Sequence, residues 1–167
     1  MGELFEIVDE HDQVIGRAPR AECHGNPALL HRTAHVVVFS ADGRLLLQKR
    51  AGNKDIQPGK WDTAVGGHLA PGETYEQGAR REMHEELGVP GDLPLTWLFR
   101  TRIRNDIESE NVGVFQLTYN GPFHAQEEEI DELKFWCPGG LRRALGTGVF
   151  TPNLELEIHR LLGEGLL

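Results

Sequence analysis

The sequence holds only two cysteines in 167 residues, Cys23 and Cys137, at no metal-ligand spacing. A disulfide framework and a thiolate metal site are both excluded, and reduced thiols in the cytoplasm are expected. No apolar run approaches the roughly 20 residues of a membrane span, and the first residues lack the basic-then-apolar order of a signal peptide. Positive charge is scarce as well: 17 Lys and Arg face 26 Asp and Glu, a net charge of -9. Without a basic stripe such a chain repels a nucleic-acid polymer, so any phosphate contacts are local. Repeats and low-complexity linkers are missing too. What remains, 39% hydrophobic and 26% charged residues, is ordinary usage for a single globular domain over residues 1–167.

The most informative stretch present is residues 67–89, GHLAPGETYEQGARREMHEELGV. Thr74 and Gln77 form a capping box and Gly88 is a natural stop, so the spacing predicts a helix from Tyr75 to Leu87. On it Glu82, Glu85 and Glu86 stand at i, i+3 and i+4, three carboxylates on one face, beside an apolar stripe of Tyr75, Ala79, Met83 and Leu87. Like charges at that spacing cost about 0.2–0.5 kcal/mol per pair in an exposed helix. A divalent cation removes the cost, and hard oxygen ligands favour Mg²⁺ or Mn²⁺. The plainer reading is a solvated acidic face with Arg80 and Arg81 as ion-pair partners. Against it stands the upstream loop: Gly66 and Gly67 admit a close backbone approach, Pro71 and Gly72 make a turn, and Glu73 precedes the N-cap.

Elsewhere, residues 4–8, 36–39, 45–47, 61–65, 95–104, 112–119 and 133–136 read as strands, with Asp42-Gly43 as a hairpin turn. A helix from Asn153 to Leu162 follows Thr151-Pro152, and a shorter one begins near Gly139. Strands in mixed order around a few helices predict a layered α/β sandwich. Trp61, Phe99 and Phe115 are better explained by core packing than by contact with a ligand.

Residues 67–89 resemble the Nudix box position for position: a glycine, a glutamate after five residues, and after seven more an Arg-Glu-apolar-x-Glu-Glu-x-Gly-apolar block. That resemblance implies an α/β/α sandwich with a mixed β-sheet. It also implies metal binding by Glu82, Glu85, Glu86 and the Gly67 carbonyl, and a Glu73–Arg81 ion pair that joins loop to helix. The general base varies within that family, and Glu82, Glu85 or an acid of the 127–129 loop fits the role.

The flanks carry a second resemblance, over roughly residues 5–155, to isopentenyl-diphosphate isomerase of the Nudix-fold type, through LLLQKRAGNKDIQPGKW, VGGH and the paired Glu108 and Glu110. It implies a second candidate metal site at His24, His31, His68, Glu108 and Glu110, and diphosphate-binding cations at Arg20, Arg50 and Lys54. Taken singly, each of these histidines reads equally as a surface or core residue. The isomerase's cysteine, tyrosine and tryptophan positions fall on Gly66, about Thr101, and Asn153, three lost groups in an isomerase. The intact box points instead to a hydrolase that cleaves a small-molecule diphosphate linked to a second group by Mg²⁺-assisted attack of water. The rivals are the isomerase and a non-catalytic sensor of a diphosphate metabolite, and the complete set of box glutamates argues against the sensor.

Overall fold

The computed structural model describes residues 2–54 and 56–167. In chain order its elements are β1 (Leu4–Val8), β2 (Val14–Pro19), α1 (Arg20–Cys23), β3 (Leu30–Phe39), β4 (Leu45–Arg50), β5 (Trp61–Thr63), β6 (Val65–His68), α2 (Tyr75–Leu87), β7 (Thr96–Arg104), β8 (Ser109–Thr118), β9 (Ile130–Trp136), α3 (Pro138–Ala144) and α4 (Pro152–Gly163). β1 and β2 form an antiparallel hairpin apart from the main sheet.

β3 is the spine of a mixed sheet. β8 runs parallel along one of its edges, from Leu30↔Ser109 to Phe39↔Thr118. On the other edge β6 pairs with Thr33 to Val36, and β4 meets the strand's end at Phe39. β5 and β9 pair with β4, and β7 pairs with β8, all antiparallel.

The period-2 alternation of β3 sorts its residues between two layers. Ala34, Val36 and Val38 pack with Ala79, Met83 and Leu87 of α2. Val37 and Phe39 pack with Leu154, Ile158 and Leu161 of α4 and Leu141 of α3. The result is the α/β/α sandwich with a mixed sheet that the sequence predicts.

Differences from the sequence expectation are local. β3 begins at Leu30, six residues before the apolar run, because Thr33 and His35 face a polar pocket and His31 faces the Glu110 carboxylate. The expected 61–65 strand divides at Ala64, with β5 on β4 and β6 on β3. β2 and α1 were not anticipated, since four of the six residues of β2 are exposed in succession and no alternation marks them.

Helix α2 is seated by a glycine. A Cβ on Gly113 of β8 would lie 2.6 Å from the Tyr75 ring and 3.0 Å from Trp97. Gly113→Ala is therefore expected to lower stability by about 1–3 kcal/mol through overpacking. A urea unfolding midpoint checks this.

Candidate functional site

Helix α2 starts and stops where its own side chains dictate. Thr74 Oγ1 accepts from the Gln77 N–H at 3.1 Å, Gln77 Oε1 accepts from the Thr74 N–H at 2.9 Å, and Gly88 closes the helix in the left-handed conformation, φ 65°. This fixes the rotation of the helix. Its apolar stripe lies on β3, and Glu82 and Glu86 turn toward β6.

The close approach of strand and helix rests on Gly67. In β6 Gly67 pairs with Ala34 and so faces α2, where any Cβ would overlap the Glu82 carboxylate. The neighbouring Gly66 N–H donates to Glu86 Oε2 at 3.1 Å. Arg81 ties the loop to this face: Nε and Nη2 donate to the two oxygens of Glu73 at 2.8 and 2.9 Å, and Nη2 also donates to the His68 carbonyl at 3.0 Å. Its Nη1 donates to Glu82 at 2.8 Å and to Glu85 at 3.2 Å. These bonds raise the Arg81 pKa and lower that of Glu73.

The electrostatics of this face suit a cation. Burial pushes the Glu86 carboxyl up to about 8, helped by the charge of Glu82. Burial raises Glu82 as well, with Glu85 adding to it against the pull of Arg81. Such groups gain from a hard cation, and they offer only oxygen donors. The residues present therefore fit Mg²⁺ or Mn²⁺. Glu85 is more exposed and stands at the rim.

Glu82 and Glu86 open into a pocket of about 710 Å³ whose lining includes Arg20, Arg50 and Lys54. Arg20 pairs with Glu3 at 3.1 Å, Arg50 stands 3.6 Å from Asp62, and Lys54 pairs with Glu129. Glu129 is the one acid of the 127–129 loop on this pocket. Glu127 and Glu128 line a separate hollow. Trp61, Phe99 and Phe115 lie in the packed core or against it, as expected.

The other candidate residues also converge. Single ligand atoms of His24, His31, His68 and Glu108 all lie within 4.8 Å of one another, and Glu110 Oε2 is 3.3 Å from His68 Nε2 and 3.5 Å from His31 Nε2. Phe5 of β1 stacks on His31 and His68, with ring centroids 5.1 and 4.4 Å apart. His31 Nε2 and Glu108 Oε2 are buried and make no well-aligned hydrogen bond among the described residues, with Glu110 Oε2 3.5 Å from the first and His24 Nε2 3.1 Å from the second. Burial works to raise the Glu110 carboxyl, but the bonds from His31 and His68 outweigh it and hold it well below the usual range. Burial, reinforced by Glu110, raises Glu108. One buried and one half-buried carboxylate among three imidazoles fit a second cation.

Sequence reasoning missed His35, Asp62 and Glu157. His35 Nδ1 meets Glu157 Oε2 of α4 at 2.7 Å; burial works to depress the imidazole, but Glu157 outweighs it and the pKa rises to about 9. Burial raises the Asp62 carboxyl. The only local signal was the polar alternation His31, Thr33, His35 ahead of an apolar strand. Gly66 pairs with His35, whose ring stands 3.0 Å from where a Gly66 Cβ would be, and Asn153 lines the pocket, whereas Thr101 sits on β7 and is not part of its lining.

With this geometry in place, the likenesses to known proteins are specific. The NUDIX domain family matches residues 29–142. An uncharacterised Nudix hydrolase of Yersinia pestis is 36% identical over 136 residues, 81% of this chain and 74% of that protein. An isopentenyl-diphosphate Δ-isomerase of Nocardia farcinica is also 36% identical, over 161 residues and 92% of each chain. Among solved structures, a Deinococcus radiodurans protein superposes with a TM-score of 0.81 at 24% identity, covering 95% of this chain and 98% of its own, a likeness of fold.

The raised Glu86 makes stability pH-dependent. Without metal, the folded form holds the Glu86 proton more tightly than the unfolded form, so this group's contribution is complete below its ordinary pKa of 4.5 and is lost as pH rises through about 8. Metal-free Tm measured across that window should therefore fall less steeply for Glu86→Gln than for the unsubstituted protein.

Proposed function

The chain belongs to the Nudix family and is an enzyme of its pyrophosphohydrolase class; we propose that it cleaves a small-molecule diphosphate joined to a second group, by attack of water on phosphorus, within one Nudix domain spanning residues 1–167. One observation carries this reading. The Glu82 and Glu86 carboxylates, backed by Gly67, open into the same pocket as the cations Arg20, Arg50 and Lys54.

In this reading Glu82, Glu85, Glu86 and the Gly67 carbonyl hold Mg²⁺ or Mn²⁺. The ion would neutralise charge on the phosphate oxygens and lower the pKa of a water. Arg81 is a positioning residue: it spends its donors on Glu73, Glu82, Glu85 and the His68 carbonyl, and so keeps loop and helix in register. Arg50 and Lys54, with Arg20 at the mouth, clamp the distal phosphate by charge-assisted hydrogen bonds. Glu82, Glu85 or Glu129 takes the proton from water within hydrogen-bond reach.

A second reading of the same pocket, isomerisation of isopentenyl diphosphate, is favoured by the cluster of His24, His31, His68, Glu108 and Glu110 and by the Nocardia relative. Gly66 and Asn153 oppose it, since neither side chain can shuttle a proton or shelter a carbocation. We assign that cluster as a second metal site beside the first.

Three outcomes are expected. Outer-shell partners of a metal change affinity or activity by roughly 10–100-fold, so losing a ligand carboxylate in Glu86→Gln should lower kcat/KM by at least about 100-fold, and Arg81→Ala by about 10–100-fold. Phosphate release from a diphosphate panel with Mg²⁺ measures both, and dimethylallyl diphosphate formed from isopentenyl diphosphate without phosphate release would favour the isomerase. Metal analysis of protein dialysed against Mn²⁺ should show a second equivalent that His31→Ala loses while keeping the first.

A further inference from the structure

Beyond the carboxylates and the cations, the pocket has an inner wall with unused hydrogen-bonding capacity. His35 commits Nδ1 to Glu157, which leaves Nε2 with no hydrogen bond to protein among the described residues. Gln48 stands opposite Asp62 across the β4–β5 ladder and donates its amide N–H to the Ala64 carbonyl at 3.0 Å, which leaves its amide oxygen open. Asp62 accepts from the Thr151 hydroxyl at 3.0 Å and from the Thr63 N–H at 2.9 Å, both through Oδ1, so Oδ2 has only Arg50 at 3.6 Å. Asn153, in the first turn of α4, makes no side-chain hydrogen bond among the described residues, and all four side chains line the pocket.

The wall is also rigid. Thr151 both caps α4, accepting from the Leu154 N–H at 3.1 Å, and holds Asp62. Glu157 is nine-tenths buried, and its second oxygen has no partner among the described residues. Donors and acceptors of both kinds are thus fixed before any ligand arrives.

Apolar surface is the scarce commodity here. Of the lining side chains only Leu4, Ala70 and Pro71 are apolar, and no Phe, Tyr or Trp among the described residues lines the pocket. A nucleobase finds no Phe, Tyr or Trp ring to stack on, and the His68 ring is already stacked on Phe5. A prenyl chain gains little burial and strips water from Asp62, Gln48 and Asn153 without returning hydrogen bonds. A hydroxyl both donates and accepts, so it satisfies open oxygens and open N–H groups alike.

We infer that the second group on the diphosphate is compact and hydroxyl-rich, a sugar or similar polyol, hydrogen-bonded by Gln48, Asp62, Asn153 and His35. This rests on the hydrolase reading above. A site built to bond hydroxyls discriminates strongly against analogues that lack them, because its own polar groups are then left unpaired.

The test is a panel with Mg²⁺: 5-phosphoribosyl 1-diphosphate, ADP, geranyl diphosphate and inorganic pyrophosphate. For the polyol diphosphate, kcat/KM should exceed that for ADP and for geranyl diphosphate at least tenfold. Gln48→Leu and Asn153→Leu, checked for folding by circular dichroism, should raise its KM at least tenfold and narrow its advantage over ADP. A merely structural role would depress every substrate alike and leave the ratio unchanged. Preference for ADP or geranyl diphosphate in a chain that does hydrolyse diphosphates overturns the polyol assignment and leaves hydrolysis standing. Failure to hydrolyse any diphosphate overturns both.

Discussion

The arrangement depends first on Arg81. Glu82, Glu85 and Glu86 crowd one helix face while Glu73 stands in the loop before it, and one planar guanidinium reaches three of these four carboxylates and the His68 carbonyl. A lysine offers donors from a single point and cannot span loop, strand end and helix in this way. Because Nη2 also holds the His68 carbonyl, the same side chain fixes the end of β6. The carboxylate face, the position of Gly67 and one histidine of the neighbouring cluster are therefore set together.

β6 then distributes chemistry to both sides of the sheet. Gly67 faces α2 and lets Glu82 come against the backbone, whereas Gly66 and His68 face the other way with His35 and Thr33. β3 repeats the device, with Ala34 and Val36 under the helix and His31, Thr33 and His35 forming a polar row opposite Glu110 of β8. Thr33 Oγ1 donates to Glu110 at 2.6 Å, which links the histidine cluster to the pocket lining. Two clusters of metal-binding character thus share one short strand.

Legibility in the sequence followed locality. α2 could be read to the residue because its caps and stripe lie within fifteen positions of one another, from Thr74 to Gly88. The three glutamates could be named from their spacing, whereas the pairing of Arg81 with Glu73 and the convergence of the His24 group could be named only through likeness to a family. The His35–Glu157 pair was invisible because its partners are 122 positions apart. The polar half of β3 looked unlike a strand because its alternating side chains meet buried carboxylates where a core was expected. β2 gave no signal, since it packs by one residue, Ala18.

The loop between β1 and β2 has a reach out of proportion to its size. Asp12, in a left-handed conformation at φ 63°, accepts from Arg32, Tyr75 and Asn111 and pairs with Arg100, so β3, α2, β8 and β7 all converge on one carboxylate. The same hairpin lays Phe5 over two histidines, and the next turn supplies Arg20 and His24. All of these lie before residue 29, where the family match begins, and Asn153 and Glu157 lie after residue 142, where it ends. Relatives that share the central stretch can therefore differ in the part of the pocket wall and of the histidine cluster that their two ends supply, and a comparison confined to the middle of such chains leaves those parts unread.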